Sequence, residues 1–177
     1  MPMSKAGIWN KKGFTFLELA VVLLILGVVA ILAFPTIRSL SGNDLKLSAR
    51  HLVRTVYFIS DRASATKRVY RLNYDLKQHE YWATVRSGEG EFTPLAAAGL
   101  TRTALPRTIR FVDADTLHQG KVTEGEAYTD FYPVGRVDKT TLHLTDEDEN
   151  VLTLVVNPIT GRVKIYDGYR EEIGKEA

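Results

Sequence analysis

Residues 14–34 form an apolar run broken by a single charge, the carboxylate of Glu18. As a helix rising about 1.5 Å per residue, the run is roughly 31 Å long, enough for a hydrocarbon core of about 30 Å. A carboxylate inside such a segment is expensive, which marks Glu18 as a functional residue. Lys5, Lys11 and Lys12 precede the run, and Arg38 is the first charge after it. This asymmetry keeps the N-terminus cytoplasmic and carries the C-terminal bulk across the membrane.

Two ordinary readings of this head fall short. A secretory signal has an apolar stretch of about 7–15 residues and then a small-residue exit. Here the run is longer, and the small residues from Gly27 to Ala30 are followed by more apolar chain. A plain signal anchor accounts for the basic flank and the apolar run. It gives no reason for Glu18, or for the Gly13-Phe14 junction.

Lys11-Lys12-Gly13-Phe14-Thr15-Phe16-Leu17-Glu18 resembles the class III signal of type IV pilins and type II secretion pseudopilins. The resemblance implies that a prepilin peptidase cuts after Gly13 and methylates the new amine on Phe14. It implies that Glu18 sets the register between subunits during assembly. Pro35 falls where such helices often carry a proline, and it is expected to bend the helix.

Composition bounds the remainder. The length suits one domain plus an anchor. A net charge of +2 gives no bulk electrostatic case for nucleic acid. The absence of cysteine removes disulfides, thiolate metal sites and cysteine nucleophiles.

Beyond residue 35 the pattern is that of an amphipathic helix. Leu45, Ala49, Leu52, Val56, Ile59 and Ala63 recur three and four apart, a single apolar stripe. Lys46, Arg50, Arg54, Asp61 and Arg62 fall mostly on other faces. A continuous helix over 14–66 and a pair hinged at Gly42-Asn43 both satisfy the pattern. After Lys67-Arg68 the period becomes two. Residues 69–74 and 80–85 read as a hairpin joined by polar residues 75–79. Further strands are expected at 108–112, 128–132, 141–144, 151–156 and 162–166, separated by turn residues. The expected fold is α+β: a long N-terminal helix, membrane-embedded in its first half and amphipathic in its second, packed on an antiparallel β-sheet domain, pilin-like. The expected divisions are a leader at 1–13, a transmembrane and filament-core helix at 14–35, an amphipathic helix at 36–66 and a periplasmic β domain at 67–177.

Phe131-Tyr132-Pro133-Val134-Gly135-Arg136, then Leu154-Val155-Val156-Asn157 and Gly161-Arg162-Val163, resembles the C-terminal region of H-type minor pseudopilins and related minor pilins. Gly135 and Gly161 also suit turns that need positive φ.

No constellation of nucleophile, base and orienting group is evident, so the chain reads as a non-enzyme without a cofactor. The four histidines, His51, His79, His118 and His143, lack ligand spacing, and no metal site is expected from them. Ser87-Gly88-Glu89-Gly90 lacks the lysine and the strand-to-helix context of a phosphate loop. The acidic run 146–150 invites calcium by analogy with major pseudopilins, but reads better as a solvated hairpin tip. Lys46, Arg50 and Arg54, with Arg102, Arg107 and Arg110, are the main basic groups. Some minor pilins of this group bind DNA. The tail over 167–177 is mixed in charge, however, and a solvated helix face is the better reading.

The resemblance therefore implies a minor pseudopilin in the inner membrane, near the tip of a periplasmic pseudopilus that drives protein export. Its implied partners are major and minor pseudopilins, the prepilin peptidase and the inner-membrane assembly platform. A minor type IV pilin serving pilus assembly or DNA uptake is the alternative within this superfamily. A signal-anchored periplasmic enzyme or binding domain is the alternative outside it.

Overall fold

The structure, a computed structural model, describes residues 15–88, 90–95 and 100–171, with the backbone alone for residues 30–42. The chain divides into two compact units, Met1–Arg38 and Ser39–Ala177. Helix α1 (Phe16–Thr66) is 51 residues long. It contains Pro35 and the Gly42-Asn43 pair within its bounds. Its C-terminus is marked by Lys67, which takes the left-handed conformation (φ 55°) that ends helices.

Ten strands follow: β1 (Tyr70–Asp75), β2 (Glu80–Arg86), β3 (Phe92–Pro94), β4 (Thr103–Ala104), β5 (Arg110–Thr116), β6 (Gly120–Val122), β7 (Glu126–Phe131), β8 (Thr140–Thr145), β9 (Val151–Val156) and β10 (Val163–Asp167). They form two antiparallel sheets. One runs β3-β2-β1-β7, with β4 also on β2; the other runs β10-β9-β8-β5-β6. The β1–β2 hairpin lies where the alternation places it. Its turn is held by Asp75, whose Oδ1 accepts the N–H groups of Lys77 (3.0 Å) and Gln78 (2.9 Å).

In the second unit the apolar stripe is the packing face of the helix. Leu45, Ala49, Leu52, Val56, Ile59 and Ala63 are all buried, in one core with Leu72 and Tyr74 of β1, Phe131 of β7 and Leu142 and Leu154 of the second sheet. Lys46, Arg50 and Arg54 are exposed. The two sheets are joined through this core. The Tyr74 ring meets Phe111 edge-on at 6.0 Å between centroids. The Tyr74 hydroxyl, Thr129 Oγ1 and Thr140 Oγ1 form a buried hydrogen-bonded chain across β1, β7 and β8 (3.0 and 2.8 Å). Burial pushes the Tyr74 phenol up, so it stays protonated within that chain.

The strand expectations need adjustment at four places. β3, β4 and β6 have two or three residues each and lie outside the expected strands. So short a segment carries no measurable alternation. The expected strand at 108–112 is instead β5, which continues to Thr116 and shifts register between Phe111 and Asp113. A β-bulge there breaks the period of two. Gly135 and Gly161 do adopt positive φ, at 82° and 63°.

Candidate functional site

Gly13 and Phe14, the expected cleavage and methylation sites, lie outside the described residues. Glu18 stands in the first turn of α1. Thr15 precedes the helix, and its Oγ1 accepts the Glu18 N–H at 3.2 Å. This is the N-terminal half of a capping box, and it places a carboxylate at the positive end of the helix dipole. Thr15 and Glu18 thus share helix-start chemistry that requires no partner chain. Along this stretch Phe16, Leu17, Leu23 and Leu24 expose 88, 73, 60 and 68% of their surfaces, an apolar face that the described residues leave uncovered. Among the described residues no helix is long and apolar enough to cross a membrane. The described side chains of the apolar run end at Val29, and Pro35 lies among those described by backbone only.

The acidic run 146–150 is the β8–β9 turn. Asp146 is fully buried, and its carboxylate closes the turn on itself. Oδ1 accepts the N–H groups of Asp148 (3.0 Å) and Asn150 (2.9 Å), and Oδ2 accepts the Asn150 side-chain amide (2.9 Å). Glu147, Asp148 and Glu149 point into solvent. Of the expected basic groups, Arg102 is engaged within the domain. It pairs with Glu80 (2.7 Å) and Asp75 (3.3 Å) and lies 4.1 Å over the Trp82 ring. In the tail, Asp167 and Glu171 are exposed, while Glu172 and Glu176 lie outside the described residues.

Two clusters arise that no sequence spacing announces. In the first, His143 of β8 and Asp113 of β5 are both buried, with Nδ1 and Oδ1 2.6 Å apart. The Tyr169 hydroxyl donates to Asp113 Oδ2 at 2.8 Å, and its ring stacks on His143 at 3.9 Å. Partial burial is the main cause that pushes the Tyr169 phenol up, which keeps it a donor. His143 Nε2 lies 3.1 Å from the Arg170 carbonyl oxygen. Both ring nitrogens therefore face oxygen atoms of the protein, one a side-chain carboxylate and one a backbone carbonyl. A cavity of about 320 Å³ adjoins them, lined also by Lys121, Thr141 and Glu171. The histidine–aspartate pair has the outline of a general base. Its outer nitrogen meets a backbone carbonyl where a catalytic pair needs a nucleophile, so the arrangement works as a clamp on the C-terminal segment. Thr153 completes that clamp, donating to the Gly168 carbonyl (2.6 Å) and accepting the Arg170 N–H (3.1 Å).

In the second cluster, Arg71 is held between the rings of Phe92 (3.9 Å) and Tyr128 (3.7 Å) and grips Asp130 with two bonds (2.7 and 2.9 Å). The hydrogen bonds to Asp130 raise the guanidinium above its ordinary range. Tyr128 stacks in turn on His118, which pairs with buried Asp138 at 2.9 Å. Ligand atoms from His118, Asp130 and Asp138 lie within 4.8 Å of one another.

Comparison with known proteins adds two findings. Residues 10–34 match the family model of the prokaryotic N-terminal methylation motif. Two structures of the minor pseudopilin EpsH from the type 2 secretion system of Vibrio cholerae are similar in fold. They share 12% identity with this chain, at TM-scores of 0.55 and 0.57, covering 70 and 73% of it and 97 and 98% of their own lengths. The solution structure of Escherichia coli GspH is similar at 11% identity and a TM-score of 0.55, covering 71% of this chain and 89% of its own. No curated protein sequence matches. The chain thus carries a prokaryotic N-terminal methylation motif and has the α+β, pilin-like fold of the minor pseudopilin EpsH and of GspH.

Proposed function

We propose that this chain is an H-type minor pseudopilin of a type II secretion system. The observation that carries the reading is the succession, in one chain, of a methylation motif at 10–34 and a β domain folded like EpsH and GspH. Residues 1–13 are then a leader, removed by the prepilin peptidase after Gly13, with Phe14 methylated. Residues 14–35 anchor the chain in the inner membrane with its N-terminus cytoplasmic, and bend at Pro35. Residues 36–66 continue into the periplasmic β domain at 67–177.

In this mechanism the exposed apolar faces of α1 become the filament core, packed against major and minor pseudopilins on the inner-membrane assembly platform. Gly27 has nothing within 4 Å of the place a Cβ would occupy, leaving room for close approach of a neighbouring helix. Glu18 pairs with the methylated amine of the adjacent subunit, which lowers the cost of burying both charges and fixes axial register. A position near the filament tip follows from the H-type resemblance. The role is structural. The His143–Asp113 pair ends on a carbonyl and is assigned no catalysis.

The test uses the absence of native cysteine. A single cysteine near residue 17 is cross-linked to the neighbouring pseudopilin in cells. Glu18→Leu is expected to lower the cross-linked fraction while membrane insertion persists. An undiminished fraction would contradict the register role.

A further inference from the structure

We propose that His118, Asp130 and Asp138 form a binding site for a divalent transition-metal ion, with zinc as the best match. Each ligand comes from a different segment. His118 lies in the turn between β5 and β6, at the edge of the second sheet. Asp130 belongs to β7, the edge strand of the first. Asp138 follows Val137, which bridges back to Phe131, in the connection leading to β8. One ligand atom from each residue lies within 4.8 Å of the others, although the three are far from any motif spacing in sequence.

A second, independent observation points to a missing partner. Asp138 is 2% exposed, and its buried Oδ1 has no hydrogen-bond partner among the described residues. Oδ2 of that carboxylate is engaged by His118 Nε2 at 2.9 Å and, at the limit of reach, by the Tyr132 hydroxyl at 3.5 Å. A buried anionic oxygen without a donor is costly, and a cation relieves that cost directly.

The donor set selects the ion. Calcium and magnesium prefer cages of oxygen ligands, whereas an imidazole with two carboxylates suits zinc and its neighbours. Zinc binds nitrogen and oxygen at about 2.0–2.2 Å and accepts three protein ligands, with a fourth position left to solvent or a partner. The supporting residues are in place. Arg71 fixes the Asp130 carboxylate through two bonds, and Tyr128 stacks on the His118 ring with centroids 6.1 Å apart. His118 is 44% exposed at its side chain, so the ring has room to turn onto the ion. A bound ion would tie the β5–β6 turn, β7 and the β7–β8 connection together, and so cross-link the two sheets.

The full chain, purified in detergent and stripped with a chelator, is titrated with zinc chloride by calorimetry, and thermal unfolding is followed with and without the metal. The expected result is one zinc per chain and a raised unfolding midpoint. His118→Ala and Asp138→Asn should each weaken binding more than about tenfold. Cobalt should give the visible bands of a low-coordinate site, lost in both variants. Exposed His118 keeps the test decisive if Asp138→Asn does not fold. Absence of stoichiometric binding, zinc affinity unchanged in His118→Ala, or binding of calcium in preference to zinc would each overturn the proposal.

Discussion

Gly161 lies against Ser60 of α1: a Cβ at position 161 would come 3.2 Å from the Ser60 hydroxyl and 3.5 Å from Val137 Cγ2. The turn before β10 thus seats directly on the helix, and it does so with φ at 63°, a conformation side chains disfavour. Gly161→Ala is expected to destabilise the domain by about 1–2 kcal/mol from backbone strain alone. Adding Ser60→Ala should recover only the steric part. Denaturant unfolding of the three proteins checks this, and an unchanged midpoint in Gly161→Ala would contradict the close approach.

Leu52 is completely buried at the centre of the helical stripe, and Arg50, two residues away, is exposed. Leu52→Ala should cost about 2–5 kcal/mol. Leu52→Asp should cost more, because it buries an unpaired charge. Arg50→Ala should stay within about 0.5 kcal/mol of the parent. Thermal unfolding separates these outcomes. Similar midpoints for Leu52→Asp and Arg50→Ala would mean that the helix does not pack through this face.

His79 predicts a pH effect. Burial, with Arg110 adding to it and Asp75 opposing, holds its ring below the ordinary histidine range. The ring also accepts the Phe111 N–H on Nδ1 at 3.3 Å, which requires an unprotonated nitrogen. As pH falls below about 6.5 the unfolded ring gains a proton before the folded one, so this contribution to stability declines toward acid. His79 has φ 53°, a conformation asparagine tolerates. His79→Asn should therefore fold and flatten the loss of stability between pH 7 and pH 5. Parallel curves for parent and variant would contradict the assignment.

Processing is tested by mass. Protein from membranes of cells that hold the prepilin peptidase should lack residues 1–13 and carry one methyl group on Phe14. Gly13→Val should remain full length, because a branched side chain obstructs the cut. An unprocessed parent chain in such cells would place the head with plain signal anchors.

The parts of the fold that could be read in sequence are those written in periodicity and turn chemistry. The stripe from Leu45 to Ala63 and the hairpin around Asp75 follow from spacing alone, since each uses neighbours a few residues apart. β5 was legible only at its start, because Asp113 and Asp115 interrupt the apolar alternation. Asp113 is tolerated there through His143 and Tyr169, which lie 30 and 56 positions away. The same holds for His118, Asp130 and Asp138, which only the pairing of β5 with β6 and the return of the chain at Val137 bring together. Contacts of that kind depend on topology, and no local pattern records them.

A role in secretion is measured most directly by the fraction of exoprotein released to the medium by cells that run a type II secretion system and lack this chain. Exoprotein is expected to be retained in the periplasm, with release restored by the parent chain and not by Glu18→Leu. Normal release, with pilus assembly or DNA uptake lost instead, would contradict it.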